Sequence, residues 1–176
     1  MNKWILLLGL FVIVGIGISA VNAIGRQNQV ANASAPSTTS LSQATANGNL
    51  GFQSLSFHTV SGHVLHVNPN EKTVLHFMTS TCASCVPTEQ TLTKFSNMPG
   101  VQIISVDINP QNDNLNTIQQ FKRASHSNWP YVMETTPYLI DKFHITELDT
   151  VVILYHGHVI FNKVLPSYTQ LKKVLA

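Results

Sequence analysis

Charge is scarce in this chain. Only 10% of its 176 residues are Asp, Glu, Lys or Arg, and the formal net charge is +2 with neutral histidines. Nucleic-acid binding needs a Lys/Arg stripe that displaces counterions from phosphates. No such stripe exists, and Lys172-Lys173, a basic pair near the C-terminus, reads as a solvated helix face. Cysteine is scarcer still. Cys82 and Cys85 are the only two, set three positions apart in "TVLHFMTSTCASCVPTEQTL" (Thr73 to Leu92). One CxxC supplies two zinc ligands, and no second CxxC or well-spaced histidine pair follows, which argues against a structural zinc site. A disulfide closing so short a loop constrains little of the unfolded chain, so a purely structural bridge would contribute little. Redox or copper chemistry is left.

What is present divides the chain in three. Residues 1–24 carry the apolar run "ILLLGLFVIVGIGISAVNAI", long enough for a helix crossing a bilayer as a signal-anchor. A cleaved signal peptide is the alternative, since Val21-Asn22-Ala23 resembles a cleavage site. Either reading takes the rest of the chain out of the cytoplasm. Residues 25–51 are Ser, Thr, Asn, Gln and Ala with one charge, a composition that cannot offset its own ordering entropy and reads as a flexible linker. Residues 52–176 show periodic apolar patterns and form the domain, large enough for a real core.

Within the domain, "FHTVSGHVLHV" alternates around Ser61-Gly62 and predicts a hairpin. "TVLHFM" and "VQIISVDI" read as buried strands, and "WPYVME" as a short one. "VPTEQTLTKFSNM" predicts a helix running to Pro99-Gly100. "NDNLNTIQQFKRAS" predicts another, capped by Asn112 or Asp113, with Leu115, Ile118 and Phe121 on one face. "TTPYLIDKFHI" predicts a Thr-capped helix with Pro137 in its first turn. "TVVILYHGHVIFNKVL" predicts a hairpin turning at Gly157, and "SYTQLKKVLA" a Ser-capped helix. The order ββ-β-α-β-α-β-α-β-β-α implies an α/β fold, a mixed sheet with helices on both faces.

The cysteines fall where a buried strand turns into a helix. Cys82 is therefore expected at or just before the first helical turn, where unpaired N–H groups and the macrodipole favour a thiolate. Cys85 lies on the same face, close enough to resolve a mixed disulfide formed at Cys82.

This element order, the strand-CxxC-helix junction and the closing hairpin and helix resemble the thioredoxin-like superfamily. More narrowly, they look like its membrane-tethered TlpA/ResA-type thiol–disulfide oxidoreductases, with some features of Sco-type copper chaperones. "HFMTSTCASCVPTE", "VQIISVDIN", "NWPYVM" and "KFHITELDTVVILYHGHVI" carry the likeness. It implies Cys82 and Cys85 as catalytic residues exchanging a dithiol for a disulfide with protein partners, with no cofactor, and a weak preference for the reducing direction. Membrane-side partners such as apocytochromes awaiting haem, an oxidase copper site or an electron-donating membrane protein are implied by the resemblance alone, as is a monomer. Two alternatives stand beside it: a copper(I) chaperone, and a redox-inactive binding domain.

Departures from the family pattern mark possible modulators. Thr81 stands where the family has Trp before the first cysteine, and Asp149, followed by Thr150, stands where it has a cis-proline. A carboxylate there is expected near Cys82, opposing its thiolate. Sco proteins space their cysteines as CxxxC and add a histidine near the position of Asp149, which this chain lacks. His76, six residues before Cys82, takes the place of a buried acid that relays the proton of the second cysteine. The plainer reading of His76 is a buried histidine satisfied by a backbone carbonyl. Glu89, four residues after Cys85, reads as a helix-surface glutamate, one position off a functional glutamate of ResA-type proteins. His58, His63, His66, His156 and His158 read as hairpin and turn residues rather than a metal surface.

Overall fold

A computed structural model describes residues 55–176 of the chain. The signal-anchor, the linker and the boundary at Phe52 lie outside the described residues. Among the described residues, no helix is long and apolar enough to cross a membrane.

The elements follow the expected order: β1 (Ser56–His58), β2 (Val64–His66), β3 (Lys72–Met78), α1 (Cys85–Leu92), β4 (Val101–Asp107), α2 (Leu115–Ser125), β5 (Tyr131–Met133), α3 (Tyr138–Phe143), β6 (Thr150–Tyr155), β7 (His158–Val164) and α4 (Tyr168–Leu175). Five strands form one mixed sheet in the order β5-β4-β3-β6-β7. β3, β4 and β5 run parallel, while β6 and β7 are antiparallel additions. β1 and β2 make a separate antiparallel hairpin, as "FHTVSGHVLHV" predicts.

β3 is covered on both faces, which is why it reads as a continuous apolar run. Its alternation assigns the faces. Val74 and Met78 pack with Leu92 of α1, Ile118 and Phe121 of α2, and Leu171 and Leu175 of α4. Leu75 and Phe77 pack with Phe57 of the hairpin and Leu139 and Phe143 of α3. His76 therefore projects into the side that holds α1 and the cysteines.

Local capping departs from expectation in three places. α1 ends at Leu92 rather than reaching Pro99, and the chain continues to Gly100 as turns. α2 is capped by Asn114, not Asn112 or Asp113: the Asn114 side chain accepts the N–H groups of Asn116 and Thr117, and the Thr117 hydroxyl closes a capping box. Asp113 is thereby released for another role, and Leu115 is solvent-exposed although Ile118 and Phe121 are buried. α3 has no side-chain N-cap; Glu134 reaches forward instead to accept the N–H of Leu139 at 2.7 Å. The cap at Ser167 and the turn at Gly157, with φ of 76°, are as read from sequence.

Candidate active site

The sheet brings four loops to one edge: those after β3, β4 and β5, and the one leading into β6, which runs opposite to β3. Cys82 lies in the first of these, and its sulfur is bonded to that of Cys85 with the Cα atoms 5.3 Å apart. The two cysteines are not equivalent. Cys85 is fully buried as the first residue of α1, whereas Cys82 retains 8% exposure. Cys82 lines an open groove of about 210 Å³ with Ser80, Thr81, Ala83, Val86 and Phe121.

Ser84 occupies the N-cap position of α1 without using its side chain as a cap. The sulfur of Cys82 takes that place. The Cys85 N–H points at Cys82 Sγ from 3.2 Å, and the Ser84 hydroxyl lies 3.3 Å from the same sulfur. A thiolate at Cys82 would accept both donors at the positive end of the helix. Thr81, in the place of a tryptophan, is exposed at the groove edge, its hydroxyl 3.4 Å from that of Thr79.

Behind the pair lies a buried ionic cluster. Cys85 and Glu89 are four residues apart, so both face inward on α1, and Glu89 is fully buried rather than on the helix surface. His76 Nδ1 donates to Glu89 Oε1 at 2.7 Å and Nε2 donates to Asp149 Oδ1 at 2.9 Å. Carboxyl groups against both ring nitrogens favour the doubly protonated imidazolium. Burial by itself lowers its pKa, but the hydrogen bonds to Asp149 and Glu89, with the charges of both, hold it raised to about 9. The backbone-carbonyl partner anticipated for His76 is replaced by these two acids.

Glu89 is saturated further. The Ser105 hydroxyl also donates to Oε1, Trp129 Nε1 donates to that hydroxyl at 2.8 Å, and the Tyr131 hydroxyl donates to Oε2 at 2.9 Å. Asp149 is 1% exposed. One of its carboxylate oxygens, a His76 ring nitrogen and Cys85 Sγ lie within 4.8 Å of one another. Its hydrogen-bonded partner is thus His76, and the cysteine grouped with the two is Cys85. Its backbone has φ of 61°, a left-handed conformation that Asp tolerates, and no described peptide bond is cis. Thr150 is buried beside it and donates to the carbonyl of Glu147 at 2.6 Å.

A second acid fastens the motif. Asp113 Oδ2 accepts the Ser80 N–H at 2.8 Å, and Asp113 Oδ1 accepts the Ser80 hydroxyl. Ser80 thereby holds the loop two residues ahead of Cys82. Ser105, Trp129, Tyr131 and Asp113 support the site through hydrogen bonds that the motif alone does not reveal. Ser105 carries a signal: it is a polar residue in the middle of "VQIISVDI", directly paired with His76 across the parallel strands. The surface histidines 58, 63, 66, 156 and 158 are all exposed.

No protein-family model matches the chain. A curated relative, sporulation thiol-disulfide oxidoreductase A of Bacillus subtilis, is 26% identical over 100 residues, covering 54% of this chain. The match spans 61% of that relative's length. Among solved structures, StoA from Bacillus subtilis has 26% identity and a TM-score of 0.56, covering 68% of this chain and 93% of that one. A thioredoxin-like protein from Aeropyrum pernix has 22% identity and a TM-score of 0.59, covering 69% and 88% respectively. Sheet order, helix placement, CxxC position and these relatives agree: the chain has a thioredoxin-like fold and is similar to thiol–disulfide oxidoreductases.

Proposed function

We propose that this protein is a thiol–disulfide oxidoreductase that exchanges its Cys82–Cys85 pair with protein partners outside the cytoplasm, in the reducing direction. The observation that carries the proposal is the asymmetry of the pair. Cys82 opens on a groove and has two donors aimed at its sulfur, while Cys85 is sealed behind it. In the reducing cycle the Cys82 thiolate attacks a partner disulfide, forming a mixed disulfide and releasing one partner thiolate. Cys85 then attacks Cys82 Sγ, the intermolecular bond breaks, and the second partner sulfur leaves as the Cys82–Cys85 bond forms. Two electrons pass from the domain to the partner.

The reading of direction rests on charge. Thiolate stabilisation makes a pair oxidising, as cations and helix termini do in strongly oxidising domains. Here His76 sits between two buried carboxylates, Glu89 and Asp149, Lys122 also acts on Glu89, and no charged residue lines the Cys82 groove. The carboxylate of Asp149, grouped with Cys85, opposes thiolate formation at the pair and favours a reductant. The location outside the cytoplasm rests on the apolar run of residues 5–24, which would also tether the domain near membrane partners.

Copper(I) held by the reduced pair is the competing reading from sequence. The histidine grouped with Cys85 is His76, and both its nitrogens already donate to carboxylates, so it offers no lone pair as a third ligand. The test is insulin reduction by the full chain alongside copper(I) titration of its reduced form. Turnover that Cys82→Ser abolishes, without tight stoichiometric copper, supports exchange. Tight copper without turnover refutes it.

A further inference from the structure

Two described side-chain oxygens are buried without a hydrogen-bond donor, and one of them is Oδ2 of Asp107. Asp107 ends β4 and is fully buried. Its Oδ1 accepts the N–H of Asn109 at 2.8 Å, which fixes the carboxyl group against the turn that follows. The side chain facing it is a second acid. Asp113 lies within hydrogen-bonding reach of the Asp107 carboxyl, and its charge acts on Asp107. Both oxygens of Asp113 in turn hold Ser80, Oδ2 accepting its N–H at 2.8 Å and Oδ1 its hydroxyl. Two ionised acids have no proton to share, so they cannot bond to each other. An acceptor left without a donor in the interior is an arrangement that folded proteins seldom keep. One proton on Asp107 Oδ2 removes the conflict, because the neutral carboxyl donates and the Asp113 carboxylate accepts.

We propose that Asp107 is a positioning residue for Cys82: its protonated carboxyl group bonds to Asp113, and Asp113 so held keeps Ser80 and the loop ahead of the cysteine in place. The functional meaning of this lock rests on the exchange reading above; the bond itself does not. Loss of the proton leaves two buried carboxylates face to face, with no cation acting on Asp107 to offset them. The neighbouring strands set Met78 of β3 and Met133 of β5 beside Asp107, and neither titrates. Glu134 donates its N–H to the Asp107 carbonyl at 2.8 Å, but its own carboxylate turns away to the N–H of Leu139. Asp113 is the acid that can move: it lies in the loop before α2 and is 5% exposed, whereas Asp107 belongs to a strand paired on both sides. Repulsion therefore drives Asp113 outward, Ser80 loses its acceptor, and the loop two residues ahead of Cys82 loosens. Burial pushes the Asp107 carboxyl up to about 7, the Asn109 hydrogen bond lowering it and the Asp113 charge raising it further, so the lock opens near neutral pH. The reactivity of Cys82 is thus tied to pH through a group that is not a thiol.

The experiment compares the reduced full chain with Asp107→Asn, whose amide donates to Asp113 as the neutral acid does but cannot ionise. Labelling of Cys82 by iodoacetamide is followed across pH by peptide mapping, and the ratio of the two rates cancels the thiol ionisation that both chains share. At about pH 5.5, below the Asp107 transition, the rates should agree within about twofold. At about pH 8.5 wild type should be about fivefold faster, the equilibrium weight of one released hydrogen bond. A ratio that stays near one throughout, or a variant already faster at the acid end, would overturn the proposal. The proton itself is read by infrared spectroscopy of the oxidised chain in heavy water. Wild type should show the carbonyl band of a protonated carboxyl group that fades as pH rises past about 7, and Asp107→Asn should lack it. Asp113→Asn should lose the same band at neutral pH, because its amide donates to an ionised Asp107, which keeps the assignment testable should the first variant fail to fold. A band absent from wild type, or unchanged in either variant, contradicts the shared proton. Insulin reduction by wild type separates the two readings: no turnover at any pH refutes disulfide exchange and leaves the infrared band where it is.

Discussion

His76 and Ser105 stand side by side on parallel strands, and both are bound to the same oxygen of Glu89. A strand-to-strand pair and a helix glutamate are thus locked together directly under the cysteines. Breaking that lock on one side leaves a buried charge uncompensated. Glu89→Ala should destabilise the oxidised chain by roughly 3–5 kcal/mol, the range for removing one partner of a buried ion pair. Glu89→Gln, which keeps the hydrogen-bonding shape, should lose less. Chemical denaturation of the two variants checks the order; equal stability to wild type would mean that the pair contributes nothing net.

The same cluster sets a pH dependence. His76 has a folded pKa of about 9 against an ordinary 6.5, so the native state holds its proton more tightly than the unfolded chain. Its contribution is full below about 6.5 and is lost as pH rises toward 9. At about 1.4 kcal/mol per pH unit this amounts to roughly 3 kcal/mol. Asp107, buried at the end of β4, is pushed up to about 7 chiefly by burial, so its contribution is lost between its ordinary 3.8 and 7, in the same sense. The oxidised chain should therefore unfold at lower denaturant at pH 9 than at pH 6. A midpoint that rises over that interval contradicts the imidazolium assignment.

The two cysteines should alkylate at different rates. Reduced chain treated briefly with iodoacetamide should carry the label on Cys82, because Cys85 is fully buried and Cys82 lines the groove. Peptide mapping by mass spectrometry reads the ratio. Comparable labelling of both sulfurs in the folded chain would remove the asymmetry on which the attack-and-resolve sequence stands.

Asp113 should tune the motif without touching sulfur. Asp113→Ala removes the acceptor of the Ser80 N–H and hydroxyl, a loss of roughly 1.5–3 kcal/mol for bonds to a charged group. The loop ahead of Cys82 should loosen, and alkylation of Cys82 should quicken at fixed pH. An unchanged rate would show that Ser80 is held by other means.

Much of the domain is legible in its residues alone. The strand-CxxC-helix junction places Cys82 ahead of the first turn and Cys85 within it, and the order of strands and helices implies the mixed sheet. The charged cluster is legible only in part. The four-residue spacing from Cys85 to Glu89 puts them on one face, but whether that face is buried depends on what packs there, and a glutamate is rarely buried unless it is paired. Its partners come from β3, β4, β5 and the loop before β6, all distant in sequence. The role of Asp113 is hidden for a local reason: Asn114 is the better cap because Thr117 completes its box, which leaves Asp113 free to turn back onto Ser80.

The most direct test of the account is equilibration of the full chain in graded redox buffers, with the Cys82–Cys85 state read by thiol tagging. The account predicts one reversible two-electron transition lying toward the thioredoxin end of the known range, about −270 mV, rather than the strongly oxidising end near about −120 mV. A pair that never changes state across that range, or one poised at the oxidising end, would contradict it.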